Sequence, residues 1–205
     1  GRWASQNSLD IGALVPTMHA AVEMRLLSGL KPERMMASKL LGDSKPKFLG
    51  NKEQLISFAE KTLYASKITS YAQGFALLKS ASQEYGFGFH YADIARIWRA
   101  GCIIRAELLN DIVAAFESEP ELTNLLLNNV FREVMLSSQS AYREVVKTAI
   151  DLEVPMLAMS ASLAYFDAYR SERLPANLIQ AQRDYFGAHT YRRVDKEGVF
   201  HTKWE

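Results

Sequence analysis

Apolar side chains recur with a helical period along nearly the whole chain. The longest such stretch runs from Asn51 to about Tyr85, where Leu55, Ile56, Ala59, Leu63, Leu77 and Leu78 follow the turns. Tyr64, Ile68, Tyr71, Ala72 and Phe75 widen that stripe, which predicts a helix buried on more than one side. Asn51, followed three residues later by Gln54, fits a capping box in which the Asn side chain takes an orphan N–H. Shorter helices are expected over 16–27, 33–41, 91–98, 102–116, 120–127, 130–152, 155–169 and 175–186. Pro16 opens one of them at a position where its missing N–H costs nothing. Ser118-Glu119-Pro120-Glu121 combines an N-cap, an early Pro and an N3 Glu, and so predicts another helix start.

The pattern changes near residue 190. Tyr191-Arg192-Arg193-Val194 and Val199-Phe200-His201-Thr202 flank Asp195-Lys196-Glu197-Gly198, which predicts a β-hairpin. A lone hairpin is marginal in water, so this one must dock on something. The expected architecture is therefore all-α: a multi-helix bundle over 1–190 with a hairpin tail over 191–205. A weak internal echo links Leu9-Asp10…Val15-Pro16 with Ile150-Asp151…Val154-Pro155. Its spacing is far too long for a solenoid.

Composition narrows the chemistry. The chain of 205 residues carries 24 Lys+Arg against 23 Asp+Glu, a net charge of +1, which argues against a nucleic-acid partner. Arg96, Trp98, Arg99 and Arg105 form a basic–aromatic cluster, but their helical spacing reads better as ion pairs and packing. Cys102 is the single cysteine. It excludes an internal disulfide and a cysteine-rich metal site, suits a reducing cytoplasm, and is expected to pack in the core. No stretch approaches the roughly 20 apolar residues a membrane crossing needs. Gly86-Phe87-Gly88 lacks the third glycine and the preceding strand of a dinucleotide-binding turn, and no His-Glu-x-x-His exists. His19, His90, His189 and His201 are far apart, so no metal site is expected.

Three stretches carry more than periodicity: Tyr64 to Phe75, Ile94 to Arg105, and Leu174 to Tyr191 continuing through Gly198-Val199-Phe200-His201-Thr202-Lys203-Trp204. Together with the opening Gly1-Arg2-Trp3 they resemble, in order, the C-terminal helical domain of 6-phosphogluconate dehydrogenase. The resemblance implies an NADP-dependent enzyme that oxidises and decarboxylates 6-phosphogluconate to ribulose 5-phosphate and CO2. Family members bind NADP in a preceding Rossmann domain and carry a catalytic lysine and glutamate before a Lys-Gly-Thr-Gly-x-Trp signature. This chain starts inside that signature, so the resemblance implies that the cofactor domain and both catalytic residues lie upstream of residue 1.

The resemblance also carries over three substrate residues. Arg25 stands at the family's phosphate-binding arginine, although Glu23-Met24 replaces the usual Phe-Ala before it. Arg183 and His189 fall on intact motif. In the family these tail residues reach the active site of the other subunit, which implies a homodimer with exchanged tails and gives the hairpin its dock. The chemistry suits the roles, because a guanidinium fork fits phosphate oxygens and a histidine donates near neutrality. Helical spacing alone reads Arg183 as a solvated surface residue and His189 as a capping one. On an ideal helix the pair would face different sides, so Gly187 is expected to end the helix and let His189 turn back. The rival reading is a helical dimerisation or sugar-phosphate-binding module without catalysis.

Overall fold

Where the apolar period is long, the helices form as the sequence predicts. The computed structural model describes residues 1–42 and 44–204, and among them the secondary structure is helical apart from one β pairing. The helices are α1 (Arg2–Asp10), α2 (Pro16–Ser28), α3 (Lys31–Leu41), α4 (Lys52–Tyr85), α5 (Tyr91–Trp98), α6 (Leu108–Ser118), α7 (Asn129–Asp151), α8 (Leu157–Tyr169) and α9 (Ala176–Gly187). Among the described residues no helix is long and apolar enough to cross a membrane. The chain divides into two compact units, Gly1–Phe166 and Asp167–Glu205.

The first unit is built around α4 and α7, which pack along each other. Ile68, Ala72 and Phe75 of α4 meet Phe131, Met135 and Tyr142 of α7 in one apolar core. The hairpin of α5 and α6 closes that core with Ala95, Leu109, Ile112 and Phe116. The Phe75 ring stacks obliquely on Trp98 and Phe116, with centroids 5.2 and 5.0 Å away. The Asn51 side chain accepts from Gln54 N–H at 3.0 Å, as the capping pattern predicts. Burial on α4 is concentrated from Thr62 onward, while Ile56 stays 70% exposed. Only the later part of α4 is therefore enclosed on several sides.

Four local expectations need correction. The first, a helix starting at Cys102, fails because α6 begins only at Leu108. The Ile104 carbonyl, which a helix would offer to Leu108 N–H, accepts from the Tyr71 hydroxyl instead. Cys102 thus lies half-buried in an irregular stretch rather than in the core. Second, 120–127 is not an α-helix and holds only a 3-10 turn at Leu125–Leu127. There the Asn124 side chain captures Leu126 N–H at 2.9 Å, which competes with helical pairing, and Asn128 caps α7 through Val130 N–H at 3.1 Å.

Third, α1 has no counterpart in the apolar period. Its Trp3 and Leu9 are exposed and its one buried residue is Ser8, whose hydroxyl lies 2.9 Å from His19 Nε2. Fourth, the hairpin expected over 191–202 is reduced to a single antiparallel pair, Tyr191 with Phe200. The next rung would engage Thr202 N–H with the carbonyl of His189. That N–H is instead donated to the Asp184 carboxylate.

The internal echo has a structural counterpart. After α1, Gly12 is left-handed (φ 68°) and Ala13 N–H returns to the Ser8 carbonyl at 2.8 Å. After α7, Glu153 is left-handed (φ 56°) and Val154 N–H returns to the Ala149 carbonyl at 2.8 Å. Both are Schellman-type stops followed shortly by a proline, Pro16 at the first position of α2 and Pro155 just before α8. The two stretches thus share a helix-stop geometry.

Candidate functional site

Arg183 and His189 lie in the second unit, on either side of the end of α9. Helix geometry makes Gln180, Arg183 and Asp184 neighbours, because they are three and four residues apart. Gln180 Oε1 accepts from Arg183 Nη1 at 3.2 Å, and Gln180 Nε2 donates to the Thr190 carbonyl. One amide thus ties the guanidinium to the backbone immediately after His189.

The turn itself is tight. The helix ends at Gly187, as the sequence predicts, and the chain then folds back through two left-handed non-glycine residues, Ala188 (φ 51°) and Thr190 (φ 61°). The His189 ring lies over Gly187, where an added Cβ would come 3.1 Å from Cδ2 and 3.2 Å from Nε2. Glycine at that position makes room for the ring. Both the Arg183 and the His189 side chains belong to exposed residues.

Asp184 is fully buried and anchors this arrangement. Oδ1 accepts from Thr190 N–H at 2.9 Å and lies 3.0 Å from His201 Nδ1. Oδ2 accepts from Thr202 N–H and from Trp204 Nε1–H, each at 3.0 Å. Burial alone pushes the carboxyl up; the bonds from Thr202, His201, Trp204 and Thr190 outweigh it and hold its pKa down at about 2. The group is therefore a carboxylate at neutral pH. Around it, the Tyr185 and Trp204 rings meet edge to face at 5.9 Å, and the Tyr191 hydroxyl lies 2.6 Å from Thr202 Oγ1.

Arg25 belongs to the first unit, in the last turn of α2, and is exposed. A cation is favoured there by the helix dipole. The start of α2 is held by a reciprocal pair: Gln73 Oε1 accepts from Thr17 N–H at 3.0 Å, and Gln73 Nε2 donates to Thr17 Oγ1 at 2.8 Å. Both residues are buried. Of the basic–aromatic cluster, Arg96 bridges Asp93 and Glu117, Arg99 donates to Asn110, and Trp98 packs on Phe75. Arg96, Trp98 and Arg99 thus make internal contacts, only Arg96–Asp93 among them at helical spacing, while Arg105 is exposed in the irregular stretch before α6. Among the described residues no group of His, Cys, Asp and Glu could hold a metal ion.

Sequence reasoning selected Arg183 and His189 but passed over Gln180, Asp184 and Thr190. The spacing 180, 183, 184 was a usable signal for the first two. Nothing local announces that Thr190 N–H points at a side chain six residues earlier.

Residues 1–204 match the family profile described as 6-phosphogluconate dehydrogenase, C-terminal domain. The chain is 52% identical over 205 residues to the NADP(+)-dependent, decarboxylating 6-phosphogluconate dehydrogenase of Bacillus subtilis, covering all of this chain and 44% of that protein. It is 48% identical over 204 residues to the decarboxylating 6-phosphogluconate dehydrogenase of Escherichia coli, again covering 44% of the relative. Among solved structures, that of Plasmodium falciparum 6-phosphogluconate dehydrogenase superimposes with a TM-score of 0.95 at 40% identity, over all of this chain and 44% of that one. That enzyme was solved in its apo form, with its cofactor NADP+ and with its substrate 6-phosphogluconate. The chain thus spans less than half the length of the relatives it matches.

Proposed function

The chain belongs to the 6-phosphogluconate dehydrogenase C-terminal-domain family, and from that premise we propose that it serves as the substrate-gripping part of a decarboxylating 6-phosphogluconate dehydrogenase. The reaction is the oxidation and decarboxylation of 6-phosphogluconate to ribulose 5-phosphate and CO2 with reduction of NADP. NADP supplies the hydride acceptor. The described residues contain no strand followed by a glycine-rich turn and helix, so no residue of this chain is assigned to the cofactor. The cofactor and the catalytic lysine and glutamate fall to the rest of the enzyme.

What this chain contributes is phosphate recognition. The observation that carries the reading is the Gln180 amide, which links the Arg183 guanidinium to the turn bearing His189. An exposed donor fork and an imidazole on one short, braced turn suit a phosphate dianion. Holding the phosphate fixes the distant reacting carbons, which converts binding energy into orientation. Arg25 is taken as a further candidate phosphate ligand on the family resemblance alone. The working form is a cytoplasmic homodimer in which Arg183 and His189 serve the partner subunit's active site. Supporting this, α9 and the tail leave large apolar side chains bare, with Leu178 77%, Phe186 75% and Val194 83% exposed. Sedimentation of the purified protein tests the dimer, and a monomer at micromolar concentration overturns it.

The decisive test is steady-state kinetics on the whole enzyme that carries this chain. Arg183→Ala removes a charged hydrogen bond to phosphate and is expected to raise KM for 6-phosphogluconate about tenfold to a hundredfold. An unchanged KM in a folded sample overturns the assignment.

A further inference from the structure

We propose that Asp184 is the positioning residue of the phosphate grip: its buried carboxylate sets the turn that carries His189 and, through Thr190 and Gln180, the placement of Arg183. This rests on the reading of Arg183 and His189 as substrate ligands and adds the residue that makes them act together.

Electrostatics makes the presence of Asp184 informative. It directly follows Arg183, so a carboxylate stands beside a group meant to attract a phosphate dianion. A like charge near that site weakens binding unless it is neutralised and turned away. Both conditions hold. The carboxylate is fully buried and takes three N–H donors plus the contact with His201 Nδ1. Its role toward the substrate is therefore geometric.

The backbone supports the same conclusion. Thr190 is β-branched and left-handed, a costly conformation that persists only where surrounding contacts impose it. The contacts that impose it are the Thr190 N–H bond to Asp184 and the Thr190 carbonyl bond to Gln180. The same Gln180 amide accepts from Arg183. Asp184 also takes the Thr202 N–H that a second rung of strand pairing would use, so beyond the single Tyr191–Phe200 pair the end of the tail is held by this carboxylate. Loss of its charge lets Thr190 relax, which releases His189 directly and Arg183 through Gln180.

The test uses the whole enzyme, 6-phosphogluconate as the varied substrate, and the variants Asp184→Asn, Trp204→Phe, Arg183→Ala and His189→Ala. Asp184→Asn replaces one acceptor oxygen by an NH2 that faces N–H donors. It is expected to raise KM about tenfold while kcat changes less than about threefold, the mark of lost uniform binding. In an Arg183→Ala/His189→Ala background the same substitution is expected to add less than about twofold, because its effect passes through those residues. A purely structural role predicts the full factor in both backgrounds, and that result overturns the proposal. Trp204→Phe removes one of the donors and keeps a ring, so a smaller rise of about two- to threefold is expected. If Asp184→Asn does not fold, Trp204→Phe decides: a raised KM supports the proposal and an unchanged one overturns it. An unchanged KM in Asp184→Asn alone sinks only the positioning role. Unchanged values in Arg183→Ala and His189→Ala sink the substrate reading and this proposal with it.

Discussion

In the unit Gly1–Phe166 the deepest large side chains include Tyr142, Phe131, Ile68 and Leu109. Among the described residues of 167–204, the one buried residue is the charged Asp184. The first unit excludes water from a continuous apolar core that spans α4 to α8. The second arranges its chain around an anion and its donors. Apolar burial is non-directional and spread over many contacts, so no single one sets the backbone path. A buried carboxylate is directional and concentrated, because each donor must arrive at hydrogen-bond distance. The first scheme gives a stable scaffold. The second holds the Arg183 guanidinium and the turn that bears His189 with few residues.

The comparison is broken most severely by a cavity in the first unit. Phe131→Ala should cost about 3–5 kcal/mol of unfolding free energy in urea titrations, as large-to-small core changes do. A loss below about 1 kcal/mol would mean that the core is not what holds this unit.

Acid should act on the second unit. The Asp184 pKa is about 2 in the folded chain against an ordinary 3.8. A depressed folded pKa means that its contribution is complete above the ordinary value and is lost as pH falls through the folded one. The indole N–H resonance of Trp204, bonded to Oδ2, should hold its position from neutral pH down to about 4 and then move between there and about 2. A carboxylate titration centred at the ordinary 3.8 would contradict the assignment.

Smaller effects sharpen the contrast. The first unit has a polar lock of its own in Gln73 and Thr17, and Gln73→Leu should cost about 1–3 kcal/mol by leaving a buried N–H unpaired. Asn51→Ala removes the α4 cap and should cost about 1 kcal/mol in thermal melts. A Gln73→Leu effect no larger than that of Asn51→Ala would make the first unit's stability a matter of apolar contacts alone.

How much was legible follows the same division. The long period over α4 and α7, the Asn51 cap and the Gly187 stop could be read directly, because each depends on residues within a turn or two. The irregular stretch before α6 could not be read, since Tyr71 captures the Ile104 carbonyl from 33 residues away. A family resemblance singles out Arg183 and His189 as expected substrate ligands, and what stands over residues 1–204 is the family membership itself. The link between those two residues through Gln180 was not legible.

By itself, then, the sequence determined the helical class, the principal helices and the family, because apolar period, caps and motif are local and ordered along the chain. Only the tertiary structure decided that the tail is not a β ladder and that Asp184 organises it. The donors on that carboxylate come from positions 6, 17, 18 and 20 residues away. No periodicity records such a meeting, which exists only once the chain has turned back on α9 and water has left the carboxylate.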